Sequence, residues 1–541
     1  MADSEPDASE PDSSDLSRAP GGAPHGPRRP GRTPPTLNKW WTLTAVCLGT
    51  FMLLLDITIV NVALPDIQRS LHASFSDLQW VVDAYALTLA ALLLTAGSLA
   101  DMYGRKRLYV IGLTIFGLAS LLCGLAEDPL MLQLSRGLQG IGGSIMFSVS
   151  LALLADAFRG KDRGIAFGVW GTITGLAVAI GPLLGGVLTS GLSWRWIFFV
   201  NLPIGVIAVA ITLLKVADSR HPEARRPDWP GFVLFTAGLS SLVFALIQSS
   251  HDSFSDPVVI ACLAAAVVLL IAFVLVELRT RQAMFDLSLF RKPTFTGGLV
   301  AAFALSASLL SLLLYLVLYL QDVLDFSALG AGVRLLLISV GILVVSTVSG
   351  RLSSRMPVRY LIGPGLLMVG GGLLWMRGLD AQSEWTHLIP GMLLSGAGLG
   401  LVNPPLASTA VGVVQPAHAG MASGINSTFR QIGIATGIAL LGTLFSSKVK
   451  SYVRDHIDAV PGLSDFGPRI ATAVESGTVG QILGSLPAEA RAPVRELTAA
   501  AFTSALNEIL LVGAIIALAA GVISFATIRT KDFAQQPSDG T

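Results

Sequence analysis

The sequence GSLADMYGRKR, residues 97–107, ends one apolar segment with a glycine-led, basic turn and begins the next. A related sequence, GRLSSRMPVR at residues 350–359, follows an apolar segment in the second half of the chain. This recurrence predicts a duplicated bundle of helices. Duplicated helical bundles are typical of membrane transporters.

Composition also places the chain in a membrane. Of 541 residues, 52% are hydrophobic and 13% are charged, whereas a soluble domain has roughly 25% charged residues. The apolar residues come in blocks of about 20, the length of a helix that crosses a hydrocarbon core. Because open strands leave costly unpaired backbone groups in lipid, the sequence predicts an all-α integral membrane protein. The net charge of +1 gives no signal for nucleic acid.

The apolar blocks predict fourteen transmembrane helices, at residues 40–62, 78–97, 108–126, 131–153, 165–189, 196–215, 229–248, 257–277, 295–320, 329–350, 359–377, 387–411, 422–446 and 505–528. Lys and Arg concentrate in alternate connections, which predicts that both termini are cytoplasmic. The polar N-terminal residues are rich in Pro, Gly and Ser and predict a disordered tail rather than a signal peptide. Charged and apolar residues alternate at helical spacing over 488–505, which predicts an amphipathic helix at the outer surface.

Few ionisable residues lie deep in the predicted spans, and each calls for an explanation because its insertion costs about 2.5–3.5 kcal/mol. They are Asp56, Asp83, Arg136 and, in the second half, Arg430. Two interpretations of Asp56 stay open. It is either the carboxylate that takes up and releases a coupling proton, which we favour, or a purely structural partner of Arg136.

The fourth span has a polar face whose side chains can bind the Asp56 carboxylate. Arg136, Gln139 and Gly140 follow helical spacing and so share that face. An arginine fork can hold a carboxylate, and arginine keeps its own charge at all relevant pH values. We therefore expect Arg136 to control the protonation of Asp56.

Small residues in the fifth span by themselves predict tight helix packing, and together with the other motifs they predict a gating contact. Gly181, Pro182, Gly185 and Gly186 lie close together. Small side chains allow helix backbones to approach closely, and proline removes one backbone donor and bends the helix.

The turn at 97–107 predicts a latch. In it, Asp101 can cap a neighbouring helix, Gly104 permits the tight turn, and Arg105 and Lys106 can pair with acids or lipid headgroups. Simple charge anchoring would explain the basic residues but not Gly97, Asp101 and Gly104 together.

These motifs resemble those of the major facilitator superfamily, and most of all its fourteen-span drug:proton antiporters, the QacA-like and EmrB-like exporters. The family's first-span motif matches residues 55–65, its loop motif matches 97–107 and its antiporter motif matches 181–186. Its fourth-span motif matches Arg136, Gln139 and Gly140. Residues 193–203 and 424–433 also resemble the fourteen-span branch. The second loop motif departs from the family in Ser354 and Pro357, which predicts a weak or absent latch in that half.

The resemblance implies a major facilitator fold of two six-helix bundles around a central cavity, plus two inserted helices. The implied order is a disordered cytoplasmic tail at 1–38, a six-helix bundle at 39–215, the inserted pair at 229–277, five helices of the second bundle at 294–446, an extracytoplasmic loop with the amphipathic helix at 447–504, the last helix at 505–528 and a cytoplasmic tail at 529–541.

The resemblance also implies export of amphiphilic drugs or of a secreted metabolite across a bacterial plasma membrane by alternating access. Asp56 and Arg136 are the expected proton-coupling pair. The expected substrate cavity contains Asp83, Trp80, Tyr85, Gln139, Phe147 and Asn426. Two acids against one arginine favour a lipophilic cation.

A proton-driven importer and a membrane sensor stay open as alternatives. An enzyme is not expected, because the sequence has neither a metal-ligand cluster nor a nucleophile–His–acid arrangement. It also lacks the glycine-rich loop that binds nucleotides, so we expect the proton gradient, and no cofactor, to supply the energy. The expected partners are a small-molecule substrate, protons and the bilayer, and the chain is expected to act as a monomer.

Overall fold

The computed structural model describes residues 36–73, 75–217, 228–251, 254–280, 285–353, 355–415, 418–457, 466–476 and 478–533. Ser354, residues 534–541 and nearly all of the predicted N-terminal tail lie outside these ranges. Within them the chain is helical and has no strand. This confirms the predicted all-α class.

The helices of the first half are α1 Thr36–Leu71, α2 Phe75–Tyr103, α3 Arg105–Gly124, α4 Pro129–Ala157, α5 Gly160–Gly191, α6 Trp196–Phe199, α7 Asn201–Lys215, α8 Trp229–His251 and α9 Pro257–Arg279. Those of the second half are α10 Pro293–Leu305, α11 Ser311–Leu318, α12 Ala328–Leu352, α13 Arg359–Trp375, α14 Ile389–Gly412, α15 Ala419–His456, α16 Gly467–Ser476, α17 Val479–Ser485 and α18 Ala488–Thr527. Two π-helical turns, Ser306–Leu310 and Tyr319–Val323, continue α10 and α11 as one long element.

The predicted count of fourteen spans is not confirmed. Twelve of the described helices are long and apolar enough to cross a membrane, and α5 makes thirteen if its two parts count as one span. These parts, Asp162–Val178 and Leu183–Gly191, meet at 43°. The bend includes Pro182, where the missing backbone donor weakens the helix. The predicted span at 359–377 corresponds to α13, which has 17 residues.

The helices form two groups, each with its own core. Helices α1 to α4, α6 and α7 pack mainly on helices of the first group, α5 packs on both α1 and α12, and α10 to α15 pack mainly on one another and on α18. Across the two groups, α2 lies against α15 and α5 lies against α12. Helices α8 and α9 form a hairpin whose α8 packs on both α2 and α15. The hairpin therefore covers the seam between the groups from one side.

The predicted outer loop at 447–504 is largely helical where the structure describes it. Helix α15 continues to His456, and α18 runs without interruption from Ala488 to Thr527. The expected amphipathic segment and the expected last span are therefore one helix. Helices α16 and α17 pack against α15 and α18.

Candidate functional site

Asp56 lies at the centre of a closed polar cluster in the first bundle. Its Oδ2 is 2.5 Å from Nη1 of Arg136, and the two side chains are 0% and 1% exposed. Its Oδ1 accepts hydrogen bonds from Nε2 of Gln139 at 2.8 Å and from Nδ2 of Asn201 at 3.0 Å. Three donors from α4 and α7 thus hold the carboxyl group of Asp56 on α1.

Arg136 is held as firmly as its partner. Its Nη1 also donates to Oε1 of Gln139 at 2.7 Å, and its Nε donates to the carbonyl of Val81 at 3.1 Å. Its guanidinium lies over the Tyr85 ring, 4.2 Å from the centroid. An arginine held in this way places a positive charge directly beside the buried carboxylate.

Ser120 of α3 closes the cluster on its far side. Its Oγ accepts from Nε2 of Gln139 at 3.2 Å and from Nδ2 of Asn201 at 3.0 Å, and it donates to the carbonyl of Phe198 at 3.1 Å. All these groups are buried. The network thus encloses the Asp56 carboxylate with side chains from three other helices, α3, α4 and α7.

Sequence reasoning missed Asn201 and Ser120 as members of this site. Asn201 stands in the family-like stretch 193–203, so a signal was present but no role was assigned to it. Ser120 gave no signal, because a single serine in an apolar helix is ordinary.

Asp101 links the two bundles at the end predicted to be cytoplasmic. Its Oδ1 accepts from the backbone N–H of Gly420 at 3.0 Å, and its Oδ2 accepts from that of Met421 at 2.9 Å. These donors begin α15 in the second bundle, where a helix N-terminus favours negative charge. A side chain of the first bundle thus caps a helix of the second.

The residues around Asp101 keep this contact in place. Arg105 donates from Nη2 to Oδ1 of Asp101 at 2.9 Å, and its Nη1 is 3.8 Å from Asp156. Gly104 has a φ of 102°, a conformation that favours glycine. Gly97 packs directly against the backbone of Gly420. The four predicted residues Gly97, Asp101, Gly104 and Arg105 therefore lie together at the seam.

Lys106 points elsewhere, since its Nζ donates to the carbonyl of Leu213 at 2.9 Å. In the second half, Gly350 makes a different kind of contact. A Cβ atom added to Gly350 would lie 2.7 Å from Cα of Gly168. The second motif thus provides a close backbone approach between α12 and α5, at the same end of the molecule as Asp101.

The glycines of the fifth span pack on α1 next to Asp56. A Cβ atom added to Gly181 would lie 2.7 Å from Cβ of Thr58, and one added to Gly185 would lie 3.1 Å from the carbonyl oxygen of Ile59. An added Cβ at Gly186 meets nothing within 4 Å in the described structure. The side chain of Pro182 lies outside the described residues.

The expected cavity residues do not converge on one point. The Trp80 ring lies 5.9 Å from that of Phe244 on α8, and Tyr85 lies under Arg136 inside the closed cluster together with Gln139. Phe147 and Asp83 are both half-buried. The ring of Phe147 lies 6.3 Å from that of Trp170.

Asn426 borders a separate crevice of about 10 Å³, room for roughly one water molecule, between α10, α14 and α15. Whether these six residues line one substrate cavity stays a prediction.

Comparison with known proteins gives a family match over most of the chain. The profile of the Major Facilitator Superfamily matches residues 46–438. The puromycin resistance protein of Streptomyces alboniger is 37% identical over 427 residues, which cover 78% of this chain and 85% of that protein. The tetracenomycin C resistance and export protein of Streptomyces glaucescens is 32% identical over 524 residues, 96% of each chain.

Among solved structures, the proton:xylose symporter XylE matches with a TM-score of 0.59 and 11% identity, over 91% of this chain and 96% of that one. At this identity the likeness concerns the fold alone.

Proposed function

The chain belongs to the Major Facilitator Superfamily, and we propose that it is a proton-coupled antiporter that exports amphiphilic small molecules from the cytoplasm. Its family makes it a multi-pass membrane transporter with the major facilitator fold and not an enzyme, as predicted. Its relatives include proteins named for antibiotic resistance and export. Proton coupling, direction and substrate are the proposed part.

The observation that carries the proposal is the fully buried carboxylate of Asp56 among three donors from two other helices, α4 and α7. A proton bound to Asp56 removes its charge and leaves the Arg136 guanidinium without a counter-ion inside the bundle. Because an uncompensated buried charge is strongly unfavourable, the cluster must then rearrange. Binding a proton at Asp56 is thereby coupled to movement of α1 against α4 and α7.

Movement of α1 reaches the seam between the bundles through α5. Thr58 and Ile59 follow Asp56 on α1 and touch Gly181 and Gly185 of α5. Helix α5 in turn packs along α12 of the second bundle. In the described conformation the Asp101 cap and the Gly168–Gly350 approach hold one end of the seam closed. Release of both contacts is the step that opens the central cavity to the cytoplasm.

The proposed substrates are amphiphilic drugs or a secreted metabolite. The relatives' names support both, since one is named for puromycin resistance and another for tetracenomycin C export. The count of two acids against one arginine is weaker support for a cationic substrate than the sequence suggested, because the charges of Asp56 and Arg136 compensate each other inside a closed cluster. Of the two predicted acids, Asp83 is then the one proposed to bind a cationic group of the substrate.

The proposed location is the bacterial inner membrane, with both termini in the cytoplasm and the chain acting as a monomer. The basic turns at both halves lie at the same end of the molecule as the Asp101 cap, which supports this orientation. No cofactor is part of the proposal, because the proton gradient supplies the energy.

Reconstitution into liposomes with an imposed pH gradient tests the function. We expect substrate to move against its concentration gradient while protons move in the opposite direction, and a protonophore to abolish this movement. Accumulation on the side to which protons flow would identify an importer instead. Binding without any flux would identify a sensor, and flux that ignores the pH gradient would remove proton coupling from the proposal.

A further inference from the structure

Arg430 is the charged residue of the second bundle that the coupling cluster and the latch leave unexplained. It lies eight residues into the span predicted at 422–446, about 12 Å along the helix axis. An arginine at that depth is costly, and such residues usually have a partner that explains them. Arg136 has Asp56, and Arg105 has Asp101.

Arg430 has no acidic partner among the residues that the structure describes. Its Nη2 donates to the neutral Oδ1 of Asn403 on α14, and its Nε has no acceptor there. One turn earlier on α15, the buried Asn426 also has an amide Nδ2 without a partner in the described chain. Two side chains one turn apart, Arg430 and Asn426, thus each have a donor without an acceptor in the described chain, and Arg430 also carries a positive charge there.

This place faces the first bundle. Ser423 donates from Oγ to the carbonyl of Ser148 on α4 at 2.5 Å, where the bundles touch. Arg430 follows Ser423 by seven residues, so it lies on the same face of α15 and about 10 Å further along the axis. It is half-buried rather than buried. Arg430 therefore lies beside the seam, beyond the point at which the bundles close.

The first bundle approaches α14 at this level. A Cβ atom added to Gly171 of α5 would lie 3.2 Å from Cγ of Pro404, the neighbour of Asn403. Trp170 is buried inside the first bundle, where its Nε1 donates to Oγ1 of Thr50 at 3.1 Å, and its ring lies beside that of the half-buried Phe147. An apolar ring system bound between the bundles would thus have a charged fork on one side and the partly exposed ring of Phe147 on the other.

We propose that Arg430, with Asn403 and Asn426, forms a recognition site for an acidic group of the exported amphiphile, such as a carboxylate or a phenolate. The guanidinium fork binds such oxygens in two hydrogen bonds at once, and the free amide of Asn426 lies about 6 Å away along the helix to bind a neighbouring oxygen. This inference rests on the proposed export function and adds the substrate class.

Binding of two dyes with one ring system and opposite charge tests it. Fluorescein is anionic and rhodamine 123 is cationic, and fluorescence anisotropy measures the binding of each to the full chain in detergent. For Arg430→Gln we expect fluorescein to bind about 10- to 100-fold more weakly, the loss of one charge-assisted hydrogen-bonded contact. Rhodamine 123 should bind as well as before or better, and Arg430→Lys should restore part of the affinity for fluorescein.

Two further variants distinguish loss of anion binding from a general structural effect of the Arg430 substitution. Asn426→Ala removes one donor without removing a charge and should weaken fluorescein binding alone. Arg334→Gln removes an arginine near a helix end of the same bundle, where its guanidinium lies over Phe326 and Trp385, and should change neither dye by more than about twofold.

The proposal is wrong if wild-type protein does not bind fluorescein, or if Arg430→Gln weakens both dyes equally. Proton-driven export of cations by a protein with that result would leave the proposed function standing. Selective anion binding without proton-driven flux would support the Arg430 site and contradict the proposed export function.

Discussion

The cap that Asp101 places on α15 should hold closed the end of the seam that is predicted to be cytoplasmic, and Asp101→Asn tests this. The carboxylate accepts two backbone N–H groups of α15 and two guanidinium N–H groups of Arg105. Asparagine has a single acceptor oxygen, so one backbone donor loses its partner, and the charge facing the helix N-terminus disappears. Each charge-assisted hydrogen bond contributes about 1.5–3 kcal/mol, and the helix-terminus term adds up to about 2 kcal/mol in a partly buried position.

Taking about 2 kcal/mol as the lower bound, the closed state should lose roughly 30-fold in population relative to the open state. The readout is the rate at which a maleimide labels a cysteine at Ser423, which is buried between α4 and α15. The background needs Cys47, Cys123 and Cys262 replaced by alanine. When opening and closing are fast, the labelling rate follows the open fraction, so Asp101→Asn should label about 30-fold faster than the parent.

Asp156→Asn is the matched control. Asp156 also faces Arg105, at 3.8 Å, but accepts no hydrogen bond from α15 in the described structure. We expect its labelling rate to change by less than about threefold, as for a partly exposed ion pair. Equal acceleration in both variants would show that the Arg105 network, and not the helix cap, holds the seam. A rate for Asp101→Asn within about twofold of the parent would refute the reasoning.

Three further outcomes are expected. Asp56→Asn should insert normally and still exchange substrate across liposomes, yet lose accumulation driven by a pH gradient; full pH-driven accumulation would remove Asp56 from the coupling mechanism. Gly181→Val should reduce flux strongly, because overpacking against Thr58 costs about 1–3 kcal/mol, whereas Gly186→Val, with open space around its Cβ, should transport like wild type; equal flux in both would make the Gly181 contact irrelevant. Asp83→Asn should weaken export of dications more than that of monocations or neutral compounds, and equal losses for all three classes would indicate a structural role.

The sequence by itself determined which segments form long apolar helices and which charged residues fall within those segments. Transfer of apolar side chains into lipid is additive along a segment, so twelve of the predicted spans could be matched to long apolar helices without any knowledge of packing. For the same reason Asp56, Arg136 and Arg430 stood out, since an ionisable residue is costly in lipid whatever its neighbours are. The glycine and aspartate of the turn at 97–107 were also readable, because their backbone and capping requirements are local.

Only the tertiary structure decided which groups meet. Asp101 caps a helix that begins more than 300 residues later, and Asn201 and Ser120 complete the cluster around Asp56 from helices that the sequence gives no reason to place there. It also decided that Arg430 has the amide of Asn403 as its partner, whereas the sequence had already indicated Asp56 as the partner of Arg136. The physical reason is that helix rotation and crossing are fixed by close packing of side chains over the whole bundle. A rotation of one helix by a single residue, about 100°, would leave the hydropathy of the chain unchanged and would separate every one of these pairs.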